Sequence, residues 1–178
     1  MNAIQGFATE AFKARPALRF WSMALMGSAV LAASAQVSLP MWPVPATLQT
    51  LAVLLLGALG GSRMGAAAVL LYLAEGAMGL PVFAHATGGP AVLMGPTAGF
   101  LLGFVASAWI AGLAGSGAAR QAAVLTAAHL VVFVPGVLWL SSFVGFEKAW
   151  MAGFLLFVPG TAVKTALAFA TMRAMRRG

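Results

Sequence analysis

The sequence predicts an all-α integral membrane protein with six transmembrane helices, and its composition and its apolar runs support this fold class. Of its 178 residues, 62% are hydrophobic and 7% are charged, and the mean hydropathy is +0.98. This leaves too little polar surface to cover a soluble domain. The apolar runs approach the roughly 20 residues that a spanning helix needs. Runs such as "AAAVLLYLA" lack the period-two alternation of barrel strands, so the spans are expected to be helices.

The apolar runs and the short segments between them set the expected order of spans. Residues 1–178 are interpreted as a single membrane-embedded domain, because the sequence has no polar segment long enough to form a soluble domain. The second and third runs are short, and "GALGGSR" between them leaves room only for a turn. The predicted spans are 17–37, 47–61, 63–79, 96–114, 119–141 and 149–172.

The basic residues predict the orientation of these spans. The formal net charge is +7, but eight of the ten cations fall at alternate ends of the apolar runs, which is the positive-inside pattern rather than a groove for nucleic acid. Both termini are therefore expected in the cytoplasm. The external face then carries a proline-rich loop at 37–46, the segment from Leu80 to Gly95 and "GFEK" at 145–148. The eight cations are Lys13, Arg15, Arg19, Arg63, Arg120, Arg173, Arg176 and Arg177.

A cleaved signal peptide is the alternative interpretation of the first apolar run. The stretch "KARPALRFWSMALMGSAVLAASAQ" has basic residues, an apolar core and a small-x-small "ASA" before Gln36, as such peptides do. Cleavage would leave an odd number of spans and place the arginine-rich C-terminus outside. The charge pattern therefore favours a retained first helix.

Several functional classes find no support in the sequence. The chain has no cysteine, no Walker sequence and no cluster of His, Asp and Glu for a metal. It also lacks a nucleophile with a neighbouring base, and the paired carboxylates and repeated halves of larger secondary transporters. We therefore expect neither an enzyme nor a resident cofactor. A purely structural bundle remains a further alternative.

Lys164 is the most informative residue, because a charge at the centre of a bilayer costs about 2.5–3.5 kcal/mol on insertion scales. It lies about ten residues before the basic C-terminus, in "FLLFVPGTAVKTALAF". We expect its ammonium to face a cavity and bind an anionic or carbonyl group of a ligand. Snorkelling towards the membrane surface, or a pair with Glu75, are the alternatives. Upstream, Pro159 and Gly160 predict a kink at a depth where Thr161 faces inward.

The other ionisable groups within the spans give weaker signals. His129 is expected to form a hydrogen bond with a neighbouring helix, and it is assigned no functional role. Tyr72 and Glu75 are three residues apart and share a helix face. Small residues four apart, Ala29 and Ala33, form a surface on which another helix can pack closely, within the chain or on a partner.

The long segment after the third span is expected to fold back as a lid over the external mouth. It contains "GLPVFAHATGGPAVLMGP", which is apolar and too long for an ordinary connection. It includes an aromatic–histidine pair, Phe83 and His85. Gly88 and Gly89 would allow the backbone to approach a ligand closely.

Four stretches together carry a strong resemblance to a known family. They are "PVPATLQTLAV", "YLAEGAMGLPVFA", "GGPAVLMGPTAG" and "PGTAVKTALA", and the likeness runs from about residue 24 to 172. The sequence resembles the BioY family, the biotin-specific substrate-binding subunits (S components) of energy-coupling-factor (ECF) transporters.

The resemblance implies an ECF S-component fold with a biotin pocket near the external face, gated by the loop between the first two helices. It implies that Ala29 and Ala33 pack on a transmembrane T component driven by two cytoplasmic ABC ATPases. The last span of the family carries Pro-Gly, an acidic residue and a lysine. Lys164 matches the lysine, but Thr161 stands at the acidic position, so the charge partner is missing here.

A biotin pocket gives the proline-rich loop a role as its cover. Pro40, Pro43 and Pro45 stiffen the loop, Trp42 offers an amphipathic surface, and Gln36 and Gln49 offer groups suited to a neutral ureido ring. The chain is thus expected to take up biotin in a bacterial inner membrane. Another vitamin, or action alone as a homo-oligomer, is left open. The expected biotin-binding residues are Trp42, Gln49, Tyr72, Glu75, Phe83, His85, Gly88, Gly89, Thr161 and Lys164.

Overall fold

A computed structural model describes residues 15–175, so the basic residues Lys13, Arg176 and Arg177 lie outside the described residues. Helix α1 spans Pro16–Gln36 and begins with a proline in its first turn, where its missing N–H is not needed. A hairpin follows, with strands β1 (Ser38–Leu39) and β2 (Ala46–Thr47) paired antiparallel. The Trp42–Pro43 peptide bond within it is cis. The proline-rich loop is therefore an ordered hairpin.

Helices α2 and α3 follow as a tight pair. Helix α2 spans Gln49–Gly60 and α3 spans Ser62–Ala77. They are joined at Gly61, whose φ of +86° is a conformation that favours glycine. The helices also pack closely, since a methyl group on Gly65 would lie 2.7 Å from the Cα atom of Gly57. In lipid the hydrophobic effect does not drive helices together, so the close van der Waals packing that small residues allow stabilises the pair.

The segment after α3 folds back onto the bundle, as the sequence predicts. A 3-10 turn spans Ala84–Ala86 and is closed by a bridge between Phe83 and Thr87; we call residues 83–87 the 83–87 turn. Short helix α4 (Pro90–Met94) and helix α5 (Ala98–Ala111) complete this region.

Between Ala118 and Met175 the chain forms two long helical segments, and each is interrupted once, at Val132 and at residues 154–157. Helix α6 spans Ala118–Val131 and α7 spans Phe133–Val144. Helix α8 (Phe146–Gly153), a 3-10 turn (Leu155–Phe157) and α9 (Val158–Met175) follow. The kink predicted inside the last helix at Pro159 is wrong. The break precedes the proline, which occupies the first turn of α9, where a helix tolerates it.

Each predicted span overlaps helical residues of the structure. In the described part of the chain, three helical segments are long and apolar enough to cross a membrane by length and composition: Pro16–Gln36, Ala118–Val144 and Phe146–Met175. Gln49–Gly60 and Ala98–Ala111 are shorter apolar helices. Large apolar side chains such as Leu138 and Leu167 are exposed on the outside of the bundle, as expected where lipid is the solvent. The chain is thus a largely helical membrane protein.

Two buried clusters hold the helices together. One is rich in aromatic residues and includes Tyr72, Phe100 and Phe133. It lies next to the hairpin and the 83–87 turn, since Val44 and Phe83 belong to it. The other joins α2, α5, α6 and α9 through smaller side chains such as Ala58 and Ala111. The aromatic cluster borders the candidate site.

Candidate functional site

A cavity of about 210 Å³ lies between the aromatic cluster, the hairpin and α9. Ligand pockets for drug-sized molecules usually measure about 300–1,000 Å³, so this one suits a compact ligand. Its lining comes from the hairpin, the 83–87 turn, the turn before α9 and six of the helices, but not from α1, α3 or α8. The lining residues are Val44, Pro45, Thr47, Gln49, Thr50, Phe83, Ala84, His85, Thr87, Val92, Thr97, Phe100, Leu101, Phe104, His129, Val132, Phe133, Phe157, Thr161 and Lys164.

Five phenylalanines form the apolar wall of the cavity: Phe83, Phe100, Phe104, Phe133 and Phe157. The ring of Phe133 lies edge-on to that of Phe100, with centroids 6.3 Å apart, and also contacts Phe157 at 6.3 Å. Phe100 stacks on Phe157 at 6.5 Å. Rings from α5, α7 and the turn before α9 thus fix one another. This wall suits the apolar part of a small ligand.

The Lys164 ammonium lines the cavity, and residues 15–175 satisfy only part of its hydrogen-bonding capacity. Nζ donates to the Thr47 carbonyl at 2.6 Å and to Thr50 Oγ1 at 3.3 Å. An ammonium has three N–H groups, so one remains for a further acceptor. Neither partner carries a negative charge. The pair with Glu75, one alternative from the sequence, does not form.

Gln49 lies at the start of α2 and is 3% exposed. Its Nε2 donates to the Tyr72 hydroxyl at 2.7 Å, and its Oε1 accepts from Thr47 Oγ1 at 3.0 Å. Both ends of the amide are therefore held, and the side chain has a fixed orientation at the cavity wall. Tyr72 is fully buried behind Gln49 and does not line the cavity itself.

The 83–87 turn is attached to α1 by the Gln36 side chain. Its Nε2 donates to the carbonyls of Phe83 and Ala32 at 3.0 and 3.1 Å, and its Oε1 accepts from the Ala86 amide at 3.0 Å. His85 and Ala86 have φ values of 59° and 54°, which are uncommon for residues other than glycine. The Gln36 amide stabilises this unfavourable backbone, so it serves the turn and not the cavity.

Comparisons with known proteins agree with this architecture. A model of the BioY family matches residues 8–178. The chain belongs to the BioY family. A probable biotin transporter BioY from Pyrococcus horikoshii is 40% identical over 147 residues, which cover 83% of this chain and 90% of that protein. A biotin transporter BioY from Thermotoga maritima is 37% identical over 145 residues, covering 79% and 86%.

A solved structure shows the same fold. It is the crystal structure at 2.1 Å of the S-component for biotin from an ECF-type ABC transporter. The TM-score is 0.81 at 21% identity, and the match covers 100% of this chain and 95% of that one. The resemblance to the BioY family that the sequence suggests is therefore confirmed, and with it the ECF S-component fold.

The structure brings together only some of the predicted site residues. Gln49, Phe83, His85, Thr161 and Lys164 line the cavity. Tyr72 lies behind Gln49, as described above, and the other predicted residues outside the lining are described in turn below.

Trp42, at the tip of the hairpin, is 83% exposed. Residues Val44 and Pro45 of the same hairpin line the cavity in its place. On α3, Glu75 points to α1, where it accepts a hydrogen bond from Ser28 Oγ at 2.9 Å. The hairpin therefore contributes Val44 and Pro45 to the lining and not Trp42, and Glu75 belongs to a contact between helices.

The remaining predicted residues are the two glycines and the two alanines. The amide of Gly89 donates to the Gly76 carbonyl at 2.7 Å, and Gly88 packs against Leu80, so they shape the lid rather than the lining. Ala29 and Ala33 are exposed on α1. Packing of these two alanines within the chain, an alternative from the sequence, is therefore not what the structure shows in residues 15–175.

Most of the aromatic wall and several polar lining residues, among them His129, were not predicted from the sequence. Phe100, Phe104, Phe133 and Phe157 carry no distinguishing pattern, because aromatic residues are ordinary members of apolar spans. His129 forms the predicted hydrogen bond with a neighbouring helix, through Nδ1 to Thr165 Oγ1 of α9 at 2.8 Å, yet it also lines the cavity. Its place beside Lys164 depends on how α6 and α9 pack.

Replacing Gln36 by leucine is expected to loosen the 83–87 turn. The change removes three hydrogen bonds and leaves the positive-φ backbone supported by the bonds inside the turn, such as that from Thr87 Oγ1 to the Ala84 carbonyl. Hydrogen exchange of the turn amides, followed by mass spectrometry, should accelerate by about tenfold or more. Ser34→Ala is the matched control, because Ser34 bonds only within α1, to the Leu31 carbonyl. Equal exchange in the two variants would contradict the role of Gln36.

Proposed function

We propose that this chain is a high-affinity biotin-binding membrane subunit for biotin uptake, coupled to ATP hydrolysis by partner ECF subunits. The observation that carries the proposal is the cavity, where an ammonium with one uncommitted N–H and a fixed amide face a phenylalanine wall. Biotin is compact, with an apolar ring and chain and polar groups at both ends. The names of the relatives, biotin transporters and an S-component for biotin, support this ligand. They also agree with the expectation that the chain is not an enzyme.

Five of the polar lining groups have a proposed role in holding biotin. Lys164 would donate its remaining N–H to a ligand oxygen, which is a charge-assisted bond of the stronger kind. Thr161, one turn earlier on α9, would add a hydroxyl at the position where the family pattern has an acid. Gln49 would face the ligand from α2, and His85 and Thr87 would close the cavity from the 83–87 turn.

The proposed topology has six spans, with both termini in the cytoplasm of an inner membrane. Two groups of contacts support it. A methyl group on Gly112 would meet Ser62, so the α2–α3 turn and the α5–α6 connection, with Arg63 and Arg120, lie at one end. The hairpin and the 83–87 turn meet at the end of α1 through Gln36. The basic end is then cytoplasmic and the cavity opens near the external face.

Titration of the purified protein in detergent tests the ligand. Biotin is expected to bind tightly. Thiamine is expected not to bind, because its cationic thiazolium would meet the Lys164 ammonium, and riboflavin is expected not to bind, because its three-ring flavin is too large for this cavity. Calorimetry with the three vitamins measures this. Tight binding of thiamine or riboflavin, with none of biotin, would replace the proposal by its alternative, an S component for another vitamin.

Uptake of [3H]biotin by cells tests the coupling. Cells that express this chain with the T component and the two ATPases are expected to accumulate biotin faster than cells with the chain alone. The exposed Ala29 and Ala33 are the proposed contact with the T component. Uptake that is indifferent to the partners would refute the coupling and favour a transporter that acts alone, as a homo-oligomer.

A further inference from the structure

His129 is a buried polar residue that forms a hydrogen bond through Nδ1 and, within residues 15–175, none through Nε2. It lies on α6 and is 1% exposed, and it lines the cavity together with Lys164. Nδ1 lies 2.8 Å from Thr165 Oγ1. The ring is nearly parallel to that of Phe133, at an angle of 12° and a centroid distance of 6.3 Å. Its orientation is therefore fixed from two sides.

The hydrogen bonds around Thr165 determine which ring nitrogen carries the proton. Thr165 Oγ1 donates to the Thr161 carbonyl at 2.8 Å. A hydroxyl has one hydrogen, so Oγ1 can only accept from His129. Nδ1 therefore carries hydrogen. In the neutral ring, Nε2 is then an acceptor with a free lone pair.

Nε2 has no partner within residues 15–175 and is not closed off from the cavity. In this part of the chain, only Gln121 Oε1 is a side-chain nitrogen or oxygen that is inaccessible and also lacks a hydrogen-bond partner. His129 Nε2 lacks a partner but is not in this class. Nε2 of His129 is therefore accessible, and the space beside this buried ring is the cavity. A second cation next to the Lys164 ammonium, among aromatic rings, would carry a large desolvation cost. The neutral ring is the form that fits.

We propose that His129 Nε2 accepts a hydrogen bond from an N–H group of the ligand, which makes His129 a specificity-determining residue of the cavity. The inference rests on the proposed function, because it takes biotin as the ligand. With its carboxylate ionised, biotin carries N–H groups only in its ureido ring. The ureido end of the ligand thus lies against α6 and α9, and Thr165 is a positioning residue that fixes the tautomer of His129.

Binding of biotin and of its two N-methylated ureido analogues to wild type and His129→Asn tests the inference. Asparagine can keep the bond to Thr165 but ends short of the Nε2 position, so biotin should bind about tenfold more weakly. His129→Gln, whose carbonyl reaches the Nε2 position, should recover part of that loss. Methylation of the ureido nitrogen that bonds to His129 should weaken binding to wild type. The same methylation should weaken binding to His129→Asn much less, because that variant lacks the acceptor.

The outcomes separate the two proposals. Failure of wild type to bind biotin would refute the proposed function. Tight binding of biotin with equal methylation penalties in wild type and His129→Asn, for both analogues, would refute only the role of His129.

A measurement on the wild-type protein avoids any folding defect of the variants. In 15N-histidine-labelled protein, one of the two histidines should be the neutral Nδ1–H tautomer, and biotin should shift its Nε2 resonance. Thr165→Val should abolish the tautomer preference and weaken biotin binding. Thr165→Ser retains the hydroxyl, so it should preserve the tautomer preference and the wild-type affinity for biotin. Finding Nε2–H or a doubly protonated ring in the ligand-free protein would overturn the inference.

Discussion

Lys164→Met is expected to weaken biotin binding by about 10- to 100-fold while the protein remains folded in detergent. A hydrogen bond to a charged group contributes about 1.5–3 kcal/mol, and the change also removes the bonds to Thr47 and Thr50 that place the ammonium in the cavity. Methionine has a similar length and lacks the charge, so the apolar packing of the stem is largely kept. Calorimetric titration with biotin measures the loss.

Two variants make this result specific. Lys164→Arg keeps the charge but replaces a compact ammonium by a larger planar guanidinium, so an intermediate affinity is expected. Lys148→Met removes one cation from an exposed position on α8 and should leave biotin affinity unchanged. Unaltered affinity in Lys164→Met would show that the ammonium does not contact the ligand.

Phe133→Ala is expected to give the second large effect, because it lowers stability and affinity together. The Phe133 ring contacts the rings of Phe100, Phe154 and Phe157 as well as that of His129. Loss of a buried phenylalanine costs about 3–5 kcal/mol when the void does not collapse. The void would open into the ligand cavity, so biotin should bind at least about tenfold more weakly, since it loses contacts on that side.

Thermal unfolding in detergent and titration with biotin measure the two effects. Phe143→Ala is the matched control, since Phe143 lies on the same helix and is 49% exposed. It should change neither quantity strongly. If Phe133→Ala destabilised the protein but bound biotin as wild type does, the phenylalanine wall would be structural and would not contact the ligand.

The sequence was informative where a local rule decides the outcome. Long apolar runs have to be helices in lipid, so helical residues lie within every predicted span. A single ammonium within a span has to find an acceptor, and Lys164 indeed lies at the cavity. The proline-rich loop was expected beside the site from the family resemblance, and the 83–87 turn because an apolar segment of that length has to fold back.

Tertiary contacts decided what the sequence left open or predicted wrongly. Trp42 and Val44 are two residues apart in a stiff loop, and only the hairpin geometry determines that Val44 reaches the cavity. Glu75 faces α1 because Ser28 offers it a hydroxyl there. The helix break before Pro159 accompanies contacts of the Phe154 and Phe157 rings with Phe133 of α7. None of these choices has a signature in sequence spacing.

The breadth of the cavity lining has a consequence for the empty protein. The lining runs from Val44 in the hairpin to Lys164 in the last helix, so a bound vitamin acts as a non-covalent cross-link between distant stretches of chain. A ligand present at a hundred times its dissociation constant stabilises its host by about 2.7 kcal/mol. The ligand-free subunit therefore has the lower free energy of unfolding, and adding the vitamin during purification should stabilise it.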